Sequence, residues 1–383
     1  MGSRVAYRLA GMGYEVVVLE QRERLGEQVC CTGIVGQECV AAFGIEDSVI
    51  LRQVNSARLF SPSGRMLGVW REEAQASIIE RSAFDRSMAD KACDRGARYV
   101  LGSRVVGIEV EADRVVAEVA DDDGMSSFEA KVVVIASGFG SRLVERLGLG
   151  RVGDFVIGAQ AEVQVCGLDE IAVYFGHEIA PGFFAWLVPV SASRALVGLL
   201  SRHSPSSYLR KLVTSMVAWG KVAPGEVEFS YGGIPLRPLT KTYGERVIVV
   251  GDAAGQVKPT SGGGIYYGLI CADIAAETLH RALESSVFSA RSLADYERQW
   301  RSRLGHELRV GYTARKLYER LSDGQIDRIF DIIKSNGIGE ALLKAEELSF
   351  DWHGEVVLRL LKEKALSQII DVMKIPLRFG GEG

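Results

Sequence analysis

The sequence predicts an α/β protein with three regions: a parallel-sheet unit assembled from separate stretches, a β-rich region inserted into it, and helices at the C-terminal end. Three observations predict it. Short, nearly continuous apolar runs at Glu15 to Leu19, Lys131 to Ile135 and Arg246 to Val250 have the character of strands buried on both faces. Glycine-rich turns follow two of them, Ala136-Ser137-Gly138-Phe139-Gly140 and Gly251-Asp252-Ala253-Ala254-Gly255. From Ala290 onward, charged residues mix with apolar ones at helical spacing.

Length and composition narrow the class. The 383 residues suffice for two or three domains with a sizeable core, and 47% hydrophobic with 25% charged residues argues against disorder. A formal net charge of -4 lacks the electrostatic footprint of a nucleic-acid binder. Six cysteines, Cys30, Cys31, Cys39, Cys93, Cys166 and Cys271, include no CxxC pair, so we expect a reduced, cytoplasmic protein without a zinc site. The N-terminus lacks a basic segment followed by a long apolar run. The most apolar stretch, Gly182 to Leu200, contains Pro189 and Arg194, and predicts two buried strands joined by a turn rather than a transmembrane segment.

The elements follow in order. Arg4 to Ala10 predicts a helix stopped by Gly11 and Gly13, and the strand after it ends at Glu20. A polar loop leads to the unusual segment Val29-Cys30-Cys31-Thr32-Gly33-Ile34. Ser82 to Gly96 predicts a helix with Ser82 as N-cap and a terminal glycine. Tyr99 to Val119 alternates like paired strands, and Asp121 to Gly124 is a turn. Phe155 to Arg237 is β-rich with one helix near Tyr208 to Trp219. A helix follows Gly262-Gly263-Gly264 and runs through about His280. Residues 1–50, 76–150 and 244–285 thus form the discontinuous parallel-sheet domain, 51–75 and 151–243 the β-rich domain, and 286–383 the helical region.

Two motifs point to a dinucleotide. An acidic residue closing the second strand of a Rossmann unit hydrogen-bonds the adenosine ribose, and Glu20 stands at that place. The first strand and the first two glycines of a GxGxxG turn are missing, since the chain begins at the helix entrance with Gly2 as the last glycine. We expect them upstream of Met1, the alternative being a broken pyrophosphate loop. The second motif, Arg246 to Ile265, is the more specific. A strand delivers Gly251 and Asp252 at its carboxyl end, where a carboxylate can bind flavin ribityl hydroxyls. Pro259 and Gly262 to Gly264 let backbone approach the ring, and the next helix aims its N–H groups there.

Glu20, the Ala136-Ser137-Gly138 turn and the Gly251-Asp252 segment occur in the order seen in flavoproteins similar to p-hydroxybenzoate hydroxylase. More narrowly, the chain resembles the geranylgeranyl reductase family, over nearly its whole length. Cys30-Cys31-Thr32-Gly33 occupies the place of the family's Cys-Gly-Glu-Gly-like segment, and Arg81 with Phe84-Asp85 matches its Arg with Phe-Asp. Phe184-Ala185-Trp186-Leu187-Val188-Pro189 is similar to the Tyr-x-Trp-x-Phe-Pro segment of its lipid pocket. The resemblance implies a Rossmann-like FAD-binding domain, with FAD contacts at Glu20, Cys30, Cys31, Gly33, Arg81, Val105, Gly251, Asp252, Gly263, Gly264 and Ile265. It implies substrate contacts at Phe184, Trp186 and Pro189. Thr32 stands where the family has an acidic residue, which leaves the proton-donor arrangement open.

The implied activity is FAD-dependent reduction of isolated double bonds of a geranylgeranyl chain carried on a lipid or diphosphate. An isolated alkene has no carbonyl to stabilise developing charge, so the protein must supply orientation, a dry pocket and a proton route. Tyr174, Phe175, Phe183, Phe184 and Trp186 either wall a prenyl tunnel or form an ordinary sheet core. Cys30 and Cys31 are the catalytic candidates: a thiol assisting protonation, an oxidisable pair, or small side chains in a tight loop. The five histidines, His177, His203, His280, His306 and His353, show no metal spacing. The electron donor is NAD(P)H visiting transiently or a ferredoxin, and a lipid substrate implies peripheral membrane contact. A flavin monooxygenase or halogenase, and a degenerate flavin-fold protein without activity, are the alternatives.

Overall fold

The computed structural model describes residues 1–27, 30–335 and 350–352; Val29, His353 and the rest of the C-terminal region lie outside the described residues. Val17–Leu19 pairs in parallel with Arg98–Val100, and Val133–Ile135 in parallel with Val247–Val249. These two pairs belong to separate sheets, the second extended by Tyr243–Gly244. Val17–Leu19 is half-buried rather than fully buried as expected, because it borders the large cavity described below.

Helices Gly2–Gly11, Arg81–Cys93 and Ile265–Ser285 pack together beside these strands. Their shared core includes Val5, Leu9, Phe84, Met88, Leu269, Ala272 and Ala276. The 81–93 helix is capped by Glu80, not by Ser82. The Glu80 carboxylate accepts from the Ser82 and Ala83 N–H groups, which places Ser82 inside the first turn. Arg104–Val110 and Val115–Asp121 form the expected hairpin, and Gly124–Ala130 adds a third strand that the sequence reading did not resolve.

The β-rich part is a seven-stranded sheet in the order 230–235, 155–164, 194–201, 184–189, 171–175, 56–60 and 66–70. Phe184–Pro189 and Arg194–Ser201 are the two strands expected within 182–200. Helix Pro205–Ala218 covers one face of this sheet, packing Leu209, Leu212 and Met216 against Ala185, Leu187, Val197 and Leu199. Strand alternation therefore turns Phe184, Trp186 and Val188 to the opposite face, towards the cavity. Ile34–Gly36, Ala76–Ile79 and Ile50–Val54 make a small antiparallel sheet between the two parts.

Ala290–Tyr318 and Asp323–Ser335 are the helices expected after Ala290. The longer one buries Tyr296, Trp300, Leu304 and Leu308 against the first core. No helix among the described residues is long and apolar enough to cross a membrane.

Candidate functional site

One cavity of about 2180 Å³ runs from the parallel strands to the cavity face of the seven-stranded sheet. Ligand pockets are ordinarily a few hundred to about 1,000 Å³, so this one has room for an extended cofactor and a second molecule. Glu20, Cys30, Cys31, Gly33, Arg81, Val105, Gly251, Asp252, Gly263, Gly264 and Ile265 all line it, as do Phe184 and Trp186. Pro189 does not; it lies buried at the end of its strand, paired with Ala195. Phe175 reaches the cavity, whereas Tyr174 points to the other face, stacked on Phe60 with ring centroids 5.0 Å apart. Phe183, 1% exposed, is packed in the core behind the wall.

The turn that carries Asp252 is held from beneath. Gly251 N–H donates to Gln256 Oε1 at 2.8 Å, Gln256 Nε2 to Tyr296 Oη at 2.8 Å, and Tyr296 Oη to Val249 O at 2.9 Å. This buried relay ties the turn to the strand before it and to the 290–318 helix. Asp252 itself makes no side-chain hydrogen bond among the described residues. Burial pushes its carboxyl above the usual carboxylate range, with Arg81 pulling the other way. The Ile265–Ser285 helix begins at Gly264 with no side-chain cap, so its first N–H groups are left for a ligand. A Cβ on Gly264 would stand 2.8 Å from Asp252 Oδ1, so glycine keeps the carboxylate and the helix start together.

Arg81 forms a 3.0 Å ion pair with Asp85, and its Nε is buried without a hydrogen-bond partner. Glu20 stands on the loop after the 17–19 strand, where its carboxylate accepts from the Arg22 N–H at 2.9 Å.

The two cysteines face different neighbours. Cys31 packs against the helical core beside Arg81. Cys30 lies against the sheet, with Sγ 4.0 Å from Gly158 O. Burial pushes the Cys30 thiol up, although Ser230 beside it acts in the opposite direction. Gly33 has φ +73° and a Cβ there would overlap the Ile79 carbonyl, so the loop can close only with glycine. Thr32 Oγ1 donates to Gln160 Oε1 at 2.7 Å.

Trp186 is set flat on the sheet by its cross-strand partner. Gly198 pairs with it, and a Cβ at Gly198 would overlap the indole. The indole Nε1–H is buried without a partner, and Phe184 leans on the ring at 5.9 Å. Val173, Val188, Leu59 and Ala57 continue the apolar wall.

Comparisons with known proteins show the family and the fold. Residues 34–202 match the family model described as FAD dependent oxidoreductase. The digeranylgeranylglycerophospholipid reductase of Methanocaldococcus jannaschii is 30% identical over 356 residues, 89% of this chain and 88% of that protein. The chain belongs to the geranylgeranyl reductase family. A geranylgeranyl bacteriochlorophyll reductase-like protein of Thermoplasma acidophilum superposes with a TM-score of 0.83 at 23% identity, covering 97% of this chain and 96% of that one. The p-nitrophenol 4-monooxygenase of Pseudomonas putida shares the fold at a TM-score of 0.69 and 18% identity, over 89% and 93% of the two chains. The geranylgeranyl reductase fold here thus matches the expected Rossmann-like, p-hydroxybenzoate hydroxylase type of architecture.

Sequence reasoning missed the part of this reductase cavity built by the C-terminal helices. Ala314, Arg315 and Tyr318 line it, as do Lys258 and Phe350. Lys258 Nζ meets Asp351 Oδ1 at 2.8 Å, both side chains buried. Nothing in the local sequence marks Ala314, Arg315 and Tyr318, because they reach the cavity only through the packing of the 290–318 helix; Lys258 lies within the Arg246 to Ile265 motif.

Proposed function

We propose that this protein uses FAD to reduce isolated double bonds of a prenyl chain carried on a lipid or a diphosphate. One observation carries the proposal: the dinucleotide-side groups and an apolar aromatic wall open into a single cavity. The unpartnered Asp252 carboxylate, the uncapped helix start at Gly264 and the orphaned Arg81 Nε fit the ribityl hydroxyls, the ring and the phosphates of FAD. Glu20 stands where an adenosine ribose is bound. Gly33, Val105, Gly251, Gly263 and Ile265 supply close-packed backbone and apolar contact around it. The relatives from Methanocaldococcus jannaschii and Methanothermobacter thermautotrophicus are named digeranylgeranylglycerophospholipid reductases, and an apolar wall suits the chain of such a substrate.

Bound and reduced, FAD supplies two electrons and one hydrogen to one alkene carbon. Phe175, Phe184, Trp186 and Val188 hold the chain against the ring and exclude water. Cys30 Sγ, whose burial keeps it a thiol at neutral pH, holds the proton for the other carbon. Cys31, beside Arg81, borders the cofactor. Electrons arrive from a transient NAD(P)H or from a ferredoxin. The lipid enters from a membrane surface past Met66–Trp70, the edge strand that lines the cavity through Val69 and exposes Met66 and Trp70.

The test is anaerobic incubation of the dithionite-reduced protein with geranylgeranyl lipids. Mass spectrometry should find a gain of about two mass units per reduced double bond. An oxygen-dependent hydroxylated or halogenated product, with none formed anaerobically, would overturn the reading. Cys30→Ala should lower turnover about 100-fold while flavin reduction proceeds normally. Equal loss of both rates would remove Cys30 from the proton route.

A further inference from the structure

Arg315 is a charge in an apolar wall. Its side chain is 4% exposed, and it lines the cavity beside Tyr318. The guanidinium lies 3.8 Å from the Phe183 ring centroid and 4.9 Å from that of Tyr318. Its Nε and Nη2 are buried and have no hydrogen-bond partner. The neighbouring carboxylate, Glu319, stands 3.7 Å from Nε, beyond hydrogen-bond length.

That carboxylate is already engaged. Glu319 receives Arg202 Nη2 at 2.8 Å and Lys316 Nζ at 3.3 Å. Asp154 takes Arg202 Nη1 at 2.6 Å, Lys316 at 3.2 Å and the Tyr312 hydroxyl at 2.7 Å. Among the described residues, Arg202, Arg315 and Lys316 stand about two carboxylates, Asp154 and Glu319, with Arg237 beside the Tyr312 ring. Cations outnumber carboxylates in this cluster, and Arg315, the most buried of them, makes no hydrogen bond among the described residues. Burial lowers the Arg315 pKa to about 10, which leaves it charged at neutral pH. Such a charge is costly unless a partner arrives to meet it.

Its place in the cavity suggests the partner. Gly311, one turn earlier on the same helix face, packs on Pro259 and Thr260. Arg315 thus stands where the glycine-rich loop meets the apolar wall of Phe184 and Trp186. A planar guanidinium fork matches phosphate oxygens two at a time. We propose that Arg315 anchors the phosphate of the prenyl substrate inside the cavity, so that the head group is bound by a buried arginine and the chain by the aromatic wall. The proposal rests on the prenyl reading above.

The experiment measures binding, not turnover. The flavin-loaded full-length protein is dialysed to equilibrium against three ligands with one chain: geranylgeranyl diphosphate, geranylgeranylglyceryl phosphate and geranylgeraniol. Wild type should bind the phosphate-bearing ligands at least about tenfold more tightly than the alcohol. Arg315→Met should remove that preference, leave alcohol binding within about twofold, and keep or raise the melting temperature, since an uncompensated buried charge is gone. Arg315→Lys, which keeps the charge without the fork, should fall between. Loss confined to the diphosphate identifies a free prenyl diphosphate as the source of the phosphate, and loss confined to the glyceryl phosphate identifies a lipid head group. Equal loss for the alcohol, or unchanged phosphate binding with a lowered melting temperature, makes Arg315 structural and overturns the proposal. So does a wild type that binds all three ligands equally, or none. A protein that binds through Arg315 without reducing the chain would sink the reduction reading alone. One that reduces prenyl chains with Arg315→Met unaffected would sink the anchor alone.

Discussion

The two ends of the cavity are built in opposite ways. On the dinucleotide side the lining contacts come chiefly from one contiguous stretch, 251–265, whose turn is tied down by Gln256 and Tyr296, with Glu20, Cys30, Cys31, Gly33, Arg81 and Val105 beside it. On the apolar side they come from four strands and a helix far apart in sequence: Ala57, Val69, Val173, Trp186 and Arg315. The first end is built chiefly on the backbone of the 251–265 stretch around the Asp252 carboxylate. The second is a side-chain site, assembled residue by residue. A backbone site should tolerate few changes and lose the cofactor altogether when it fails. A side-chain site should lose substrate affinity in parts, with the cofactor retained.

The sharpest way to break that comparison is at Asp252. Asp252→Ala removes the unpartnered carboxylate from the turn and should weaken FAD binding about 100-fold, as expected for lost hydrogen bonds to a charged group. Flavin occupancy by visible absorption checks it, and full occupancy in the variant would count against the role. At the other end, Trp186→Ala should lower kcat/KM for long prenyl substrates about tenfold or more, with flavin reduction by dithionite unchanged. Gly198→Ala should do nearly the same without touching Trp186 itself, because the added methyl takes the space of the indole. If Gly198→Ala left prenyl turnover intact, the flat seating of Trp186 would have no functional weight.

This division also explains what was legible before the structure. Strands at 133–135, 184–189 and 247–249 announce themselves through apolar runs and glycine exits, and the Gly251-Asp252 motif is local, so its place on the cavity was legible in the sequence. The helix cap was misplaced by two residues, because a glutamate at 80 offers the same oxygen as a serine at 82. The order of the motif alone points Pro189 to the pocket. Period-two alternation puts Trp186 and Val188 on the cavity face and leaves Pro189 off it. Arg315 gave no signal, since its function depends on where a 29-residue helix lies against a distant sheet.

A smaller effect tests the relay beneath the turn. Tyr296→Phe leaves Gln256 and the Val249 carbonyl without their buried partner. It should cost about 1–3 kcal/mol of stability. Chemical denaturation measures it. An unchanged midpoint would mean that the turn does not depend on the 290–318 helix, and the contrast between a rigid and an assembled end would weaken.

The smallest effect is one of pH. Burial raises the Asp252 carboxyl in the folded protein, so the unfolded chain ionises first. Below about pH 4 both forms are protonated and the group contributes nothing to stability. As pH climbs from there, the folded state holds a proton that the unfolded state has released, and flavin-free protein loses stability until the folded carboxyl also ionises. Hydroxyls donating to the ionised carboxylate favour that form and draw its pKa back down. The melting-temperature gap between flavin-loaded and flavin-free protein should therefore widen as pH rises above about 4. Asp252→Asn should flatten this dependence. A gap that stays constant with pH in the wild type would mean that the carboxylate does not take up the flavin hydroxyls, and the 251–265 stretch would then bind through backbone contacts alone.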